Sequence, residues 1–176
     1  MPTVAVIVEG DYDKVAISAL VKRCRKGVTV VARQCRGQVS GKFPGIVAEL
    51  NRSYRLERVL VVSDAEGRPP EQVLRTLRER MTGTYRFPVI PLVIVEMLEA
   101  WLIADPTALE KVVGSKRDFR SPEKVRDPKT NLANLFSRNA LYTPEMARRI
   151  VEAIDLPRLR QRCPRFGYFE SAVLGN

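Results

Sequence analysis

The sequence predicts an α/β fold in which about four parallel strands are flanked by helices and followed by a basic, helical C-terminal half. Three observations carry this reading. Short β-branched runs alternate with helically spaced apolar residues as far as residue 95. No strand candidate follows. The later segments begin where a polar residue precedes a proline. Strands alternating with helices favour a parallel sheet, because parallel neighbours are joined by right-handed crossover connections.

Thr3–Val8 (TVAVIV) is a continuous apolar run, as expected of a strand buried on both faces. Asp11 to Lys26 places Val15, Ala19, Leu20 and Cys24 at roughly helical spacing. Val28–Ala32 reads as the second strand and Phe43–Tyr54 as the second helix. Arg58–Ser63 is the third strand, and Glu71–Met81 is a helix with Val73, Leu74, Leu77 and Met81 on one face. Phe87–Val95 is a fourth strand whose prolines suit a sheet edge or a bulge. Beyond it, Asp105-Pro106, Ser121-Pro122, Asp127-Pro128 and Thr143-Pro144 each set a capping side chain before a proline at the first helical position. These signals predict about four short helices, the last running Arg158–Val173. Residues 1–100 are read as the α/β domain and 101–176 as a basic helical extension packed on it. Lys116, Arg120, Lys129, Arg138, Arg148 and Arg158 are among the cations of that extension.

Composition bounds the chemistry. The chain has 176 residues, 45% of them hydrophobic, enough for one core. Its net charge of +10, rich in Arg, suits a phosphate-bearing partner, DNA or RNA. The same charge also serves solubility. There is no histidine, which excludes Ser-His-Asp and Cys-His nucleophile systems and imidazole-ligated zinc. Cys24, Cys35 and Cys163 are scattered without C-x-x-C spacing, as in a reducing compartment. No signal segment or membrane-spanning apolar run is read, so the expected location is the cytoplasm. Any catalysis then falls to carboxylates, a metal ion, and Arg or Lys.

Ligands of open parallel sheets bind beyond the carboxyl ends of the strands, where strand order reverses. Two strand ends here are acidic: Val8-Glu9-Gly10-Asp11-Tyr12-Asp13 and Ser63-Asp64-Ala65-Glu66-Gly67. Were strands one and three neighbours, about 4.8 Å apart, Glu9, Asp64 and Glu66 would converge. Crowded carboxylates invite a hard divalent cation, Mg2+ or Mn2+, which bridges them to phosphate oxygens without histidine. Each acid also has a plainer role, Asp11 or Asp13 as a helix cap and Asp64 as a turn cap. Glu96 and Glu99, after the fourth strand, read as helix-start carboxylates favoured by the dipole.

Arg36-Gly37-Gln38-Val39-Ser40-Gly41-Lys42 lies between a strand and a helix but is one residue short of a P-loop, with Phe43 in place of the hydroxyl residue. An NTPase is therefore rejected. A basic loop holding phosphate through backbone N–H groups and Lys42 stays open. Trp101, the only tryptophan, reads as core rather than as a base-stacking platform. Phe166, Tyr168 and Phe169 read as a hydrophobic latch.

VAVIVEGDYD followed by VLVVSDAEG resembles the Toprim pattern, an apolar strand ending in Glu-Gly and a later one ending in Asp-x-Asp. IVEMLEAWLIADP, EKVRDPKTNL and CPRFGYF extend the resemblance over nearly the whole chain, to small uncharacterised Toprim-like proteins and more distantly to Toprim nucleases of the overcoming-lysogenization-defect type. The resemblance implies a Toprim (Rossmann-like) fold. It implies Glu9 as general acid/base or ligand, Asp64 as a metal ligand, Asp13 as a further acid of the metal site, and Glu96 and Glu99 as the acids able to supply a second metal site. Glu66 stands where the pattern has a second Asp, one methylene longer. Lys14, Arg36, Lys42 and Lys129 are the candidate phosphate or nucleic-acid contacts.

Two functions follow. One is a metal-dependent nuclease hydrolysing phosphodiesters of DNA or RNA with Glu9, Asp64 and Glu66 as catalytic residues. The other is a non-catalytic nucleic-acid or nucleotide-binding module in a larger complex with a protein partner, such as one of phage defence.

Overall fold

The computed structural model describes residues 1–137 and 140–176. Arg138, counted above among the basic residues, lies outside the described residues. Among the described residues, β1 (Thr3–Val8), β2 (Thr29–Gln34), β3 (Arg58–Asp64) and β4 (Val89–Ile94) form one parallel sheet in the order β2-β1-β3-β4. Helices α1 (Asp11–Cys24), α2 (Val39–Ser53) and α3 (Pro70–Glu79) connect the strands. The remainder comprises α4 (Glu99–Leu102), α5 (Pro106–Val113), a 3-10 turn (Pro122–Lys124), α6 (Pro128–Ala133), α7 (Pro144–Ala153), α8 (Leu156–Arg162) and α9 (Pro164–Leu174). The α/β expectation is met. Among the described residues, no helix is long and apolar enough to cross a membrane.

The sheet is buried on both faces, and the period of two along each strand sorts its side chains. Val4, Val6 and Val8 of β1, with Leu60 and Val62 of β3, join α1 and the C-terminal helices in one hydrophobic cluster. Ala5, Ile7, Val59 and Val61 face the other way, onto Val39, Phe43, Val47 and Leu50 of α2 and Val73 and Leu77 of α3. The first cluster continues through Leu98, Trp101, Leu109, Ile150, Phe166 and Phe169, so residues beyond 100 supply much of one helical layer. Trp101 is 1% exposed, its ring meeting Phe166 at 5.3 Å and Phe169 at 5.5 Å between centroids. The core reading of Trp101 holds. The latch consists of Phe166 and Phe169, whereas Tyr168 is 67% exposed because its position on α9 turns it away from the core.

Several boundaries shift for identifiable reasons. Helix α2 begins at Val39, four residues before the expected start. Pro44 suggests a helix start, but it sits inside the second turn, where it lacks only the N–H that would reach the Ser40 carbonyl. Gly41 and Lys42 are therefore helical. The expected helix Arg158–Val173 is two helices, broken where Cys163 precedes Pro164. All four anticipated prolines occupy the first turn of a helix, and Asp105, Asp127 and Thr143 cap Thr107, Thr130 and Met146 amides. Ser121 makes no side-chain cap.

Strand β4 is an edge strand. Val59 N donates to Pro88 O and Ala65 N to Ile94 O, so even-numbered residues of β4 face β3 and odd-numbered ones face outward. Pro91 thus removes an N–H from the open edge alone, which costs the sheet nothing and blunts pairing with another strand.

Truncating the wedge between sheet and C-terminal helices should be costly. Trp101→Ala is expected to destabilise the fold by about 3–5 kcal/mol, against roughly 0.5 kcal/mol or less for Tyr168→Ala. Urea unfolding followed by circular dichroism measures both without relying on the lost indole.

Candidate active site

The chain leaves β1 toward β2 on one side and later returns to place β3 on the other. Their carboxyl ends therefore flank the point of reversed strand order, where ligands bind in such sheets. The pairing Ile7 with Val61 sets Glu9 level with Ser63 just beyond the strand ends. Ser63 Oγ, itself buried, donates to Glu9 Oε1 at 3.1 Å. Asp64 is the next residue along β3 and projects to the opposite face.

The acids accordingly fall into two groups. On the α2 side stands Glu9, half-buried, beside Ser63, the Val39 amide at the start of α2 and the Arg68 guanidinium. Burial foremost, with the Glu66 charge, raises its proton affinity above the usual carboxylate range, against the bonds from Ser63 and Val39. On the α1 side stand Asp64, Asp13 and Glu99. Asp64 is held far above the usual carboxylate range by burial and then by the charges of Asp13, Glu99, Glu9 and Glu66. Asp13 accepts from Gly10 N at 2.9 Å, closing the first turn of α1. Its carboxyl is nevertheless pushed up to about 6, by burial foremost and by Glu99 and Glu9, with Gly10 and Lys129 opposing.

Glu99, 4% exposed at the start of α4, accepts from Tyr142 Oη at 3.0 Å. Tyr12 Oη donates to Tyr142 O at 3.0 Å, and the two rings lie 4.9 Å apart. Lys129 Nζ sits 4.6 Å from the Tyr12 ring centroid. Glu66 is exposed in a left-handed turn with φ 49°, followed by Gly67 at 76°. Its N–H donates to the carbonyl of Glu96, itself left-handed at φ 59°. Glu96 therefore supports the turn through its backbone.

The acids on the two strand ends lie within electrostatic range of one another. Among the described residues, however, no three His, Cys, Asp or Glu side chains stand together as a ready ligand set. Strand alternation parts Glu9 from Asp64, and Asp64, Asp13 and Glu99, although on one side, are not gathered into such a set either. The chemistry of the donors still fits a hard cation: every candidate is a carboxylate oxygen, and Asp64 stands half-buried among like charges. A divalent cation is the species that would offset this repulsion.

The basic candidates are placed unevenly. Lys129 reaches the acids from α6, near enough to act on Asp13. Lys42, on the first turn of α2, donates to the Arg36 carbonyl, and both side chains are exposed. Lys14 is exposed on α1, next to Asp13 in the chain but on another face of the helix. Most arginines of the last three helices are already paired: Arg148 with Glu145, Arg158 with Asp105, Arg160 with Glu170, Arg162 with Asp118 and Arg165 with Glu71. Sequence reasoning missed Ser63, Arg68, Tyr12 and Tyr142. Ser63 was legible as the residue level with Glu9 once the strands were paired; Tyr142 meets Glu99 only through tertiary packing.

A family model described as Domain of unknown function (DUF4276) matches residues 8–174. No curated protein matches. Among solved structures, the C-terminal region of the Xanthomonas campestris pv. campestris OLD protein is similar at 14% identity and TM-score 0.48, over 97% of this chain and 95% of that one.

The raised affinity of Asp13 has a thermodynamic consequence. Between about pH 4 and pH 6 the native state keeps a proton that the unfolded chain has released, so stability falls as pH rises through this window. In a chelator, Asp13→Asn should flatten that part of the slope and exceed wild type by about 1–3 kcal/mol at pH 7, while matching it near pH 3.5. Urea midpoints measured from pH 3.5 to 8 test this; an unchanged slope would count against proton storage at Asp13.

Proposed function

The chain belongs to the DUF4276 family of domains of unknown function, and from the acids at its strand ends we propose that it is a divalent-metal-dependent phosphodiesterase acting on DNA or RNA, with a Toprim-type carboxylate site. The observation that carries this reading is Asp64, a carboxylate at the topological switch point surrounded by Asp13, Glu99, Glu9 and Glu66. An acid kept in such company is poorly served by a purely structural role, because like charges and burial both oppose its ionised form.

Asp64 with Asp13 and Glu99 would hold Mg2+ or Mn2+ from one side of the sheet edge, with Glu9 and Glu66 contributing from the other. A cation bound there polarises a phosphoryl oxygen and offsets the charge that develops on it. Glu9 is suited to proton transfer: its affinity for a proton is raised, and the Ser63 bond to Oε1 holds its carboxyl at the strand end. Tyr142 fixes Glu99 by donating to it, and burial together with the Glu99 charge keeps its own phenol protonated. Lys129, which acts on Asp13, and the exposed Arg36 and Lys42 at the approach to α2 would offer positive charge to the phosphate backbone. The alternative, a non-catalytic nucleic-acid or nucleotide-binding module of a larger complex, is favoured by one feature, the absence among the described residues of a ready three-ligand cluster.

Cleavage of labelled single- and double-stranded DNA and RNA with Mg2+, Mn2+ or chelator separates the two readings. The nuclease reading expects metal-dependent cleavage, reduced at least about a hundredfold by Glu9→Gln and by Asp64→Asn, with both variants folded. A folded wild type that binds these nucleic acids and leaves all of them intact would sink it.

A further inference from the structure

Arg68 follows the left-handed Glu66-Gly67 turn after β3, and its guanidinium is fixed by the main chain. Nε donates to Ala65 O at 3.0 Å and Nη2 to Asp64 O at 3.2 Å. Its own backbone N–H also closes the turn onto Ala65 O. Guanidinium carries five N–H donors, and these two bonds occupy its side-on face. The end-on face, formed by Nη1 and the other N–H of Nη2, has no partner among the described residues. No carboxylate there lies within ion-pair distance of Arg68, although the group acts electrostatically on Glu9. The residue is solvent-exposed. The arginines of the last three helices named above each pair with a carboxylate, whereas Arg68, like Arg23, is held by main-chain carbonyls alone.

We propose that Arg68 is a phosphate-binding residue of the candidate site, receiving two non-bridging oxygens of a substrate phosphodiester on its end-on face. Two parallel N–H groups match two phosphate oxygens, which a lysine cannot reproduce. Because the Asp64 carbonyl is one of its anchors, the guanidinium keeps a constant position relative to the strand end that carries the central acid. A phosphate held there lies at the mouth of the acid cluster on the Glu9 side. This assignment rests on the nucleic-acid reading of the site.

The test is binding rather than turnover. Short phosphorothioate-backbone DNA and RNA oligonucleotides would be titrated against full-length protein by fluorescence anisotropy over a range of salt concentrations in chelator. Arg68→Gln is expected to weaken binding about tenfold and to lower the slope of log affinity against log salt by about one. Arg68→Lys should restore most of the slope but only part of the affinity. If Arg68→Gln leaves both slope and affinity unchanged while lowering the melting temperature, Arg68 is a turn clip and the proposal is overturned. If wild type itself shows no salt-dependent binding to either oligonucleotide, the nucleic-acid reading fails and this assignment with it. That outcome is distinct from loss in the variant alone.

Discussion

The pairing of β1 with β3 governs the rest of the molecule. These are the two interior strands, and nearly every residue of both is buried. Their register of Ile7 with Val61 decides which side chains face α1 and the C-terminal helices and which face α2 and α3. A slip of one residue would reverse every side chain of a strand between the two layers. It would put Val8 and Val62 against α2 and withdraw Ala5, Ile7, Val59 and Val61 from it. The same register brings two acidic strand ends to one edge, so the packing that makes the fold unique also assembles the carboxylates.

Those carboxylates oppose the fold they sit on. The chain as a whole is strongly basic, yet its central acids are not neutralised by the abundant arginines. Arg160, Arg162 and Arg165 pair with Glu170, Asp118 and Glu71, which fastens the last helices to each other and to α3. Such exposed pairs contribute little individually, but they withdraw charge from the surface. What remains near Glu9 and Asp13 comes from Arg68 and Lys129, and neither forms an ion pair with them. The local field at the strand ends is therefore negative within a positive frame, an arrangement that accepts a cation inside and a polyanion around it.

The fold was legible because it is written in local pattern. Thr3–Val8 was bounded to the residue, since an apolar β-branched run flanked by Pro2 and Glu9-Gly10 has no other comfortable conformation. The prolines of the second half marked true helix starts through their fixed φ and missing N–H. Errors arose where one local rule met a stronger tertiary one. Pro44 sits within α2 because Val39 and Phe43 bury completely against the sheet, and that burial outweighs one lost hydrogen bond. At the site, the acids could be identified from the strand ends, but their division between two faces could not be seen before β1 and β3 were paired. Tyr142 was out of reach altogether: its bonds with Tyr12 and Glu99 span 130 and 43 residues, and nothing in the intervening sequence encodes them.

The turn after β3 ties these strands of reasoning together. Glu66 and Glu96 both hold left-handed backbone, a conformation that costs a residue with a β-carbon about 1–3 kcal/mol in the less favourable cases. Asparagine or glycine would relieve it at either position. The cost is sustained because the Glu66 N–H bonds to the Glu96 carbonyl, prolonging the β3–β4 pairing past the strands themselves. That bond aims the chain so that, within five residues, Asp64 faces the α1 side, Glu66 faces solvent and Arg68 folds back onto the Asp64 carbonyl. The paired strands themselves, β3 ending at Asp64 and β4 at Ile94, both stop before the two left-handed residues. The strain therefore lies just past the strand ends, in the turn that sets the Asp64 carbonyl, Glu66 and Arg68 close together.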